Sequence, residues 1–419
     1  MSANAQPGVN HDIRDPALAE AGRRRVDWAH LSMPVLQAVR KQFIKSQPLV
    51  GRRVGACLHV TAETANLAIT LRDGGAEVVL CAANADSTDD EVAAVLVKDY
   101  GIATHAVRGA DRETQRRHWD AVLETAPQVT LDDGCDLIGR LHTARQDRLS
   151  GVLGGTAEGL RGAAAEAVQY PVIAVDGSVT KRMFDNQLGT GQSTIDAILR
   201  ATNLLLAGLT VVVAGYGPGG RGIAARARGL GANVLVTEVD PLRALEAAMD
   251  GFRVMSMTLA AEQADLVVTA TGNKAVLARE HFEKLKNNAI LCNAGHSSVE
   301  IDTEALERMA SARREVRRHV EEYALRDGRR VYVLAAGRLI NLATGEGHPA
   351  SVMDVSFATQ ALAVEYLVKH YATLERRVHA APAEIDRQVA KMKLESMGVR
   401  IDRLSLEQEK YLSDWPQGY

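Results

Sequence analysis

The sequence is poor in cysteine: Cys57, Cys81, Cys135 and Cys292 are the only four in 419 residues. They lie far apart and form no Cys-x-x-Cys pair. That excludes a disulfide-stapled scaffold and suits reduced, buried thiols in a cytoplasmic protein. Charge of one sign is also missing. The 49 basic and 52 acidic residues leave a net charge of −3 with no dominant block, so nothing marks a surface for nucleic acid or for a membrane. No apolar run approaches the roughly 18 residues of a membrane span, and residues 1–15 lack the charged-then-apolar pattern of a signal peptide. Short-period repeats and low-complexity tracts are absent, and no metal is expected.

The chain that remains is 46% hydrophobic and long for a single core, which predicts two domains with an appendage. Residues 1 to about 25 are polar, carry Gly and Pro, and predict a frayed tail. From residue 53, strand-like and helix-like stretches alternate over 53–59, 62–73, 77–82, 89–100 and 129–131. A second set follows at 209–214, 234–237, 265–269 and 289–293. The pattern predicts an α/β protein with two doubly wound parallel-sheet domains and a small C-terminal tail. Between the two sets, Ile195, Ile198, Leu199 and Thr202 recur at spacings of three and four and predict a helix. A long apolar helix is expected over 355–371.

Val211-Val212-Val213-Ala214 runs directly into Gly215-Tyr216-Gly217-Pro218-Gly219-Gly220. Between a strand and a helix, such glycines allow a tight turn and the approach of backbone N–H groups to a pyrophosphate. Glu238 ends the next strand, where a carboxylate accepts hydrogen bonds from a ribose diol and repels a 2′-phosphate, favouring NAD. Arg243, five residues on, is suited to a phosphate. These signals divide the chain into a substrate-binding domain (1–177), a hinge with a connecting helix (178–207), a Rossmann NAD-binding domain (208–345), a return to the first domain (346–378) and an oligomerisation tail (379–419).

Polar groups cluster where strands give way to loops: His59 and Glu63, Asp132 and Asp133, Lys181 and Asp185, His296 and His348. In open parallel sheets ligands sit at the carboxyl ends of strands, so these residues predict one cleft between the domains. Singly they are weak signals, since a lone His or an Asp-Asp-Gly turn is more often structural.

Taken in order, eight segments resemble the S-adenosylhomocysteine hydrolase family: 58–61, 131–134, 178–181, 184–186, 215–222, 237–241, 292–296 and 347–349. The resemblance implies a tightly bound NAD and an adenosine-type nucleoside that is oxidised at C3′, loses its C4′ proton, expels the group on C5′ and is reduced again. Lys181, oriented by Asp185 and Asn186, would accept the 3′-hydroxyl proton once desolvation brings its pKa towards neutrality. His59 and Asp133 match residues around C4′ and C5′, and His296 would polarise the developing enolate. Thr61 and Glu63 resemble adenine readers, His348 another adenine neighbour, and Asn84 and Ser87 line the same cleft. The cofactor would meet Gly215, Gly217, Gly219, Gly220, Glu238, Arg243, Thr271, Asn293, Asn341 and Tyr419. A homotetramer, or a homodimer, is the implied assembly.

The sequence also departs from the family. The Ser-Glu-Glu-Thr-Thr-Thr-Gly stretch, whose second Glu holds the sugar hydroxyls, is set against Leu153-Gly154-Gly155-Thr156-Ala157-Glu158-Gly159. In that register both carboxylates are gone, a loss of about 2 to 4 kcal/mol of sugar binding. Gly155 and Thr156 would then border a vacated volume beside C2′. Glu158 swinging in is the alternative. Glu346 replaces a small or apolar residue near the adenine, Thr190 stands where some members have Cys, and the chain ends Trp415-Pro416-Gln417-Gly418-Tyr419 without the Lys that longer members carry. The departures predict a dehydratase that removes the 5′-hydroxyl of a sugar-modified adenosine in nucleoside-antibiotic biosynthesis, with cleavage of S-adenosylhomocysteine as the alternative.

Overall fold

Runs of small and β-branched apolar residues build the frame in the computed structural model, which describes residues 10–160, 162–295 and 298–413. The first unit contains β1 (Asp12–Ile13), β2 (Arg53–Leu58), β3 (Glu77–Ala82), β4 (Ala103–Ala106), β5 (Val129–Asp133), β6 (Gly154–Glu158) and β7 (Val172–Ala174). All are parallel, in the order β1-β4-β3-β2-β5-β6-β7. The chain leaves β2 towards β4 and returns on the other side at β5. That reversal opens a crevice at the carboxyl ends of β2 and β5.

The second unit repeats this logic with β8 (Thr210–Ala214), β9 (Asn233–Thr237), β10 (Arg253–Val254), β11 (Leu266–Thr269), β12 (Ala289–Asn293), β13 (Ala310–Arg317), β14 (Val320–Leu325) and β15 (Arg330–Leu334), ordered β10-β9-β8-β11-β12-β15-β14-β13. Val211, Val212, Val213 and Ala214 have no exposed surface, as expected of a central parallel strand covered on both faces. The sheet is not parallel throughout. β13, β14 and β15 pair antiparallel, and the edge strand β13 is almost entirely exposed and carries Arg313, Arg314 and Arg317. Charge on an edge strand discourages pairing with another chain.

The helix Ala350–His370 returns to the first unit and puts Val355, Phe357, Ala358, Ala361 and Leu362 into its core. Strand β16 (Val378–Ala380) then adds an eighth strand beside β7, and the helix Ala383–Ser396 buries Ile385 and Val389 in the same core. So residues 378–396 belong to the first unit, and only the exposed helix Leu406–Ser413 reads as a tail. The other terminus differs from expectation too. Asp12 and Ile13 pair with His105 and Ala106, and the helix Ala19–Leu31 buries Ala19, Gly22, Val26 and Ala29. The frayed tail therefore cannot extend to residue 25. No described helix is long and apolar enough to cross a membrane.

Two glycines bring the units together. A Cβ on Gly191 would lie 2.6 Å from the carbonyl carbon of Gly222, and one on Gly222 would lie 2.8 Å from the carbonyl carbon of Gln187. The helix that follows the glycine loop, Pro218–Gly229, thus packs directly on the Arg182–Gly189 segment.

Candidate active site

The end of strand β6 meets one buried lysine. Lys181 closes a single helical turn, Val179–Lys181, whose N-cap Ser178 accepts the Lys181 N–H at 3.3 Å. The chain then widens into a π-helical stretch, Arg182–Gly189, a local unwinding frequent at functional sites. Lys181 is 2% exposed. Its Nζ lies 2.5 Å from Asp185 Oδ2 and 2.8 Å from Glu158 Oε1. Asp185 is further held by Ser356 Oγ at 3.0 Å and by His348 Nδ1 at 2.8 Å. Thr190 Oγ1 stands 3.4 Å from His348 Nε2.

Burial works against the Lys181 charge, but the neighbouring charges of Asp185 and Glu158, and their hydrogen bonds, outweigh it and raise the ammonium above its ordinary value. Desolvation therefore does not bring this lysine towards neutrality, because two carboxylates replace the lost water. Burial would raise Asp185, yet Lys181 and His348 hold it well below the usual range. Burial and the charge of Glu158 push Asp133 well up. Burial also raises Glu158, against the pull of Lys181. Asp133 ends β5, and its Oδ1 is buried without a hydrogen-bond partner among the described residues. Asp132, whose oxygens accept the Asp136 and Ile138 N–H groups, is pushed up to about 8 by burial.

The glycines at 154 and 155 leave no vacated volume. A Cβ on Gly154 would lie 2.7 Å from Leu367 Cδ1, and one on Gly155 would lie 2.8 Å from the Thr130 carbonyl oxygen and collide with the Thr130 hydroxyl. Both glycines sit inside β6 because the neighbouring strand and helix come too close for a side chain. Thr156 and Glu158 share the face of that strand opposite to Gly155, two residues apart. Thr156 Oγ1 is buried without a partner among the described residues, and Glu158 reaches Lys181. This corrects the expected vacated volume, and it fits a register in which the Ser-Glu-Glu-Thr-Thr-Thr-Gly stretch is set against residues 156–162 and its second Glu against Glu158. The first Glu is replaced by Ala157, and the first two threonines by Gly159 and Leu160.

Around this cluster, His59 follows β2, with Nδ1 2.6 Å from Ser87 Oγ. Thr61 caps the helix Ala62–Asp73, accepting Thr64 N–H at 3.4 Å. Glu63, in the first turn of that helix, shares a cavity of about 770 Å³ with Glu346 and His348; burial raises its carboxyl. Glu346 lies at the rim, 72% exposed, 3.1 Å from Arg200 Nη1. Asn84 spends its side chain capping the 85–87 turn and, with Ser87, lines a second cavity of about 210 Å³. Glu63, Glu346 and His348 thus line one cavity, and Asn84 and Ser87 another.

On the second unit, Gly215 has φ of +96°, a left-handed conformation that favours glycine. A Cβ on Gly220 would collide with the Gly215 carbonyl, so loop and helix can meet only as glycines. By contrast a Cβ on Gly217 would meet nothing nearer than Arg243 Nη1 at 3.6 Å, and one on Gly219 nothing nearer than Thr190 Cγ2 at 3.4 Å, with Asn186 O at 3.6 Å. The groove they border is one that side chains would fill. Glu238 accepts N–H bonds from Tyr216 at 2.6 Å, Val239 at 2.7 Å and Asp240 at 3.0 Å. Asn341 donates to Ser193 Oγ at 3.0 Å, while its buried Oδ1 has no partner among the described residues. An open glycine groove, a carboxylate at its end and an orphaned buried acceptor fit a dinucleotide with a carboxamide. Thr271 and Asn293 are engaged within the protein: Thr271 N and Oγ1 donate to Glu300, and Asn293 Oδ1 accepts Gly295 N–H at 2.8 Å. His296 and Tyr419 lie outside the described residues. The sequence reading did not single out Glu300, Ser356 or Ser193. Each is an ordinary polar residue whose partner is distant in the chain.

A dinucleotide groove on one α/β unit, set against a buried lysine and its carboxylates, is the layout of an NAD-dependent enzyme. The family model "S-adenosyl-L-homocysteine hydrolase, NAD binding domain" matches residues 186–347, and "S-adenosyl-L-homocysteine hydrolase" matches 10–157. The adenosylhomocysteinase of Aquifex aeolicus is 56% identical over 98% of this chain and 100% of its own length. That of Archaeoglobus fulgidus is 53% identical over 95% and 99%. The S-inosyl-L-homocysteine hydrolase of Methanopyrus kandleri is 50% identical over 97% of each chain. The chain belongs to the S-adenosyl-L-homocysteine hydrolase family.

Proposed function

We propose that the protein cleaves S-adenosylhomocysteine with water into adenosine and homocysteine. The observation that carries this reading is the contact between Glu158 and Lys181: the carboxylate thought lost is in the site, and the glycines thought to make room for a modified sugar are packed shut. The dehydratase reading loses its support with them.

In this scheme Glu158 and Thr156 hold the sugar hydroxyls from one face of β6. As Glu158 turns its acceptor oxygens to the hydroxyls, Lys181 keeps one carboxylate partner in place of two, and its hold on the proton weakens. Once it has given its ammonium proton to water, the neutral Lys181 takes the proton from O3′, with Asp185 fixing Nζ and His348 and Ser356 fixing Asp185. Gly215 to Gly220, Glu238 and Asn341 would hold NAD, which would supply reversible hydride-transfer chemistry at C3′. His59, fixed by Ser87, and Asp133 stand around C4′ and C5′. Burial favours the protonated form of Asp133, and in that form it can give its proton to the departing sulfur. Glu63, in the cavity it shares with His348, offers its carboxyl to the nucleobase edge. The name of the Methanopyrus relative makes the 6-position of the purine the point to check. Exposed Leu404, Leu406, Tyr411 and Leu412 support assembly into a homo-oligomer.

Purified protein given S-adenosylhomocysteine, S-inosylhomocysteine and sugar-modified adenosines in parallel tests the reading. Thiol release from the first is expected. Loss of water from a modified adenosine, without thiol release from either homocysteine conjugate, would overturn it.

A further inference from the structure

We propose that Asp386, on the C-terminal helix Ala383–Ser396, is the positioning residue for the turn that carries Lys181. Its Oδ1 accepts from Ser178 Oγ at 2.6 Å, from Thr180 N–H at 3.0 Å and from the Thr180 hydroxyl, while Oδ2 accepts from Val179 N–H at 2.6 Å. The first N–H groups of a helix have no partner within it. Here a carboxylate more than 200 residues away supplies that partner, and Ser178 is left to cap Lys181 itself.

The clamp is anchored at its other end. Lys393, on the same helix, reaches Asp354 Oδ2 at 2.9 Å, and Asp354 Oδ1 accepts Leu36 N–H at 2.9 Å. Asp354 has no exposed surface and belongs to the helix Ala350–His370, which also supplies Ser356 to Asp185. The C-terminal helix therefore fixes the backbone of Lys181 directly, and is itself fixed to the helix that orients Lys181's partner. Nothing else in the described turn ties Val179 and Thr180 N–H to the body of the first unit. Burial opposes ionisation of Asp386, but the donors from Ser178, Thr180 and Val179 hold its carboxyl below the usual range, so the acceptor stays charged at working pH.

The kinetic part of the proposal rests on the reading of Lys181 as the proton-transfer group. Asp386→Asn in the full-length holoenzyme tests it, because an amide presents a donor where one of the N–H groups must be accepted. Amide hydrogen exchange at residues 179–182 is expected to quicken about ten-fold, with β8 unchanged. NADH formation on mixing with saturating adenosine should slow about ten-fold, with the half-saturating concentration changed less than about two-fold. Thr180→Val, which removes one donor of four, should move both readouts the same way by less, and serves if Asp386→Asn does not fold. Unchanged exchange at 179–182 would overturn the clamp. Faster exchange with an unchanged rate would overturn its positioning role. If the wild-type holoenzyme forms no NADH with any nucleoside, the functional reading fails, and the exchange result alone decides the clamp.

Discussion

Glu158 Oε1 lies 2.8 Å from Lys181 Nζ, which also meets Asp185 Oδ2 at 2.5 Å. One strand end thereby presents to the lysine a second carboxylate that faces the cleft. Replacing Lys181 by Met would leave Asp185 with His348 and Ser356, and Glu158 without a counter-charge. The expected result is a loss of about 10³-fold or more in the rate at which adenosine reduces the bound cofactor. Stopped-flow absorbance of NADH on the holoprotein measures it; retention of the rate would remove Lys181 from the proton-transfer role.

Gly155→Ala separates packing from substrate recognition. Its Cβ has nowhere to go against the Thr130 carbonyl and hydroxyl, and Thr130 is tied to Tyr170 OH at 3.4 Å. Overpacking of this kind costs on the order of 1 to 3 kcal/mol. Thermal unfolding should show the midpoint falling. An unchanged midpoint with altered nucleoside selectivity would mean that Gly155 borders substrate after all.

The fold and half of the site are legible in the sequence for a simple reason. Val211 to Ala214 form a continuous apolar run, and the glycines that follow have the spacing a pyrophosphate turn requires, so strand, loop and helix declare themselves locally. His59, Asp133, Lys181 and Asp185 stand at strand ends or in the hinge, where polar residues interrupt apolar periodicity. What stays hidden depends on contacts between distant residues. Glycines at both 159 and 162 can close the Glu-Glu-Thr-Thr-Thr-Gly motif, and only the packing of Gly155 on Thr130 chooses between the registers. The charge of Lys181 depends on two carboxylates at once, which its neighbours in sequence do not reveal. Asp12–Ile13 is too short to show a period, and β13 is too rich in arginine to resemble a strand.

Glu238 accepts three backbone N–H groups at the end of β9 and so shapes the loop it is expected to serve. Glu238→Gln would turn an amide donor towards at least one of them. Retention of NAD through gel filtration should fall, with an apparent dissociation constant about ten-fold higher, read by fluorescence titration of the stripped protein. Unaltered affinity would place the ribose elsewhere.

His105 is buried on β4, facing His118, Asp12 and His11, and burial followed by the charge of His118 lowers its pKa from 6.5 to about 4. The unfolded chain binds this proton more readily than the folded one. Its contribution to stability is therefore present above pH 6.5 and is lost as pH falls towards about 4. Thermal midpoints taken across that window should fall less steeply for His105→Leu than for the wild type. Equal slopes would show that His105 does not set the acid sensitivity.

The central claim is that Glu158 is the sugar-holding carboxylate of a homocysteine-releasing enzyme. Thiol release from S-adenosylhomocysteine, followed for the wild type and for Glu158→Gln at matched NAD occupancy, tests it most directly. The wild type should release homocysteine, and the variant should lose on the order of 10²-fold in kcat/KM, as expected for a charged acceptor of two hydroxyl hydrogen bonds. A wild-type protein that releases no thiol, or a variant that releases it at the wild-type rate, would contradict the account.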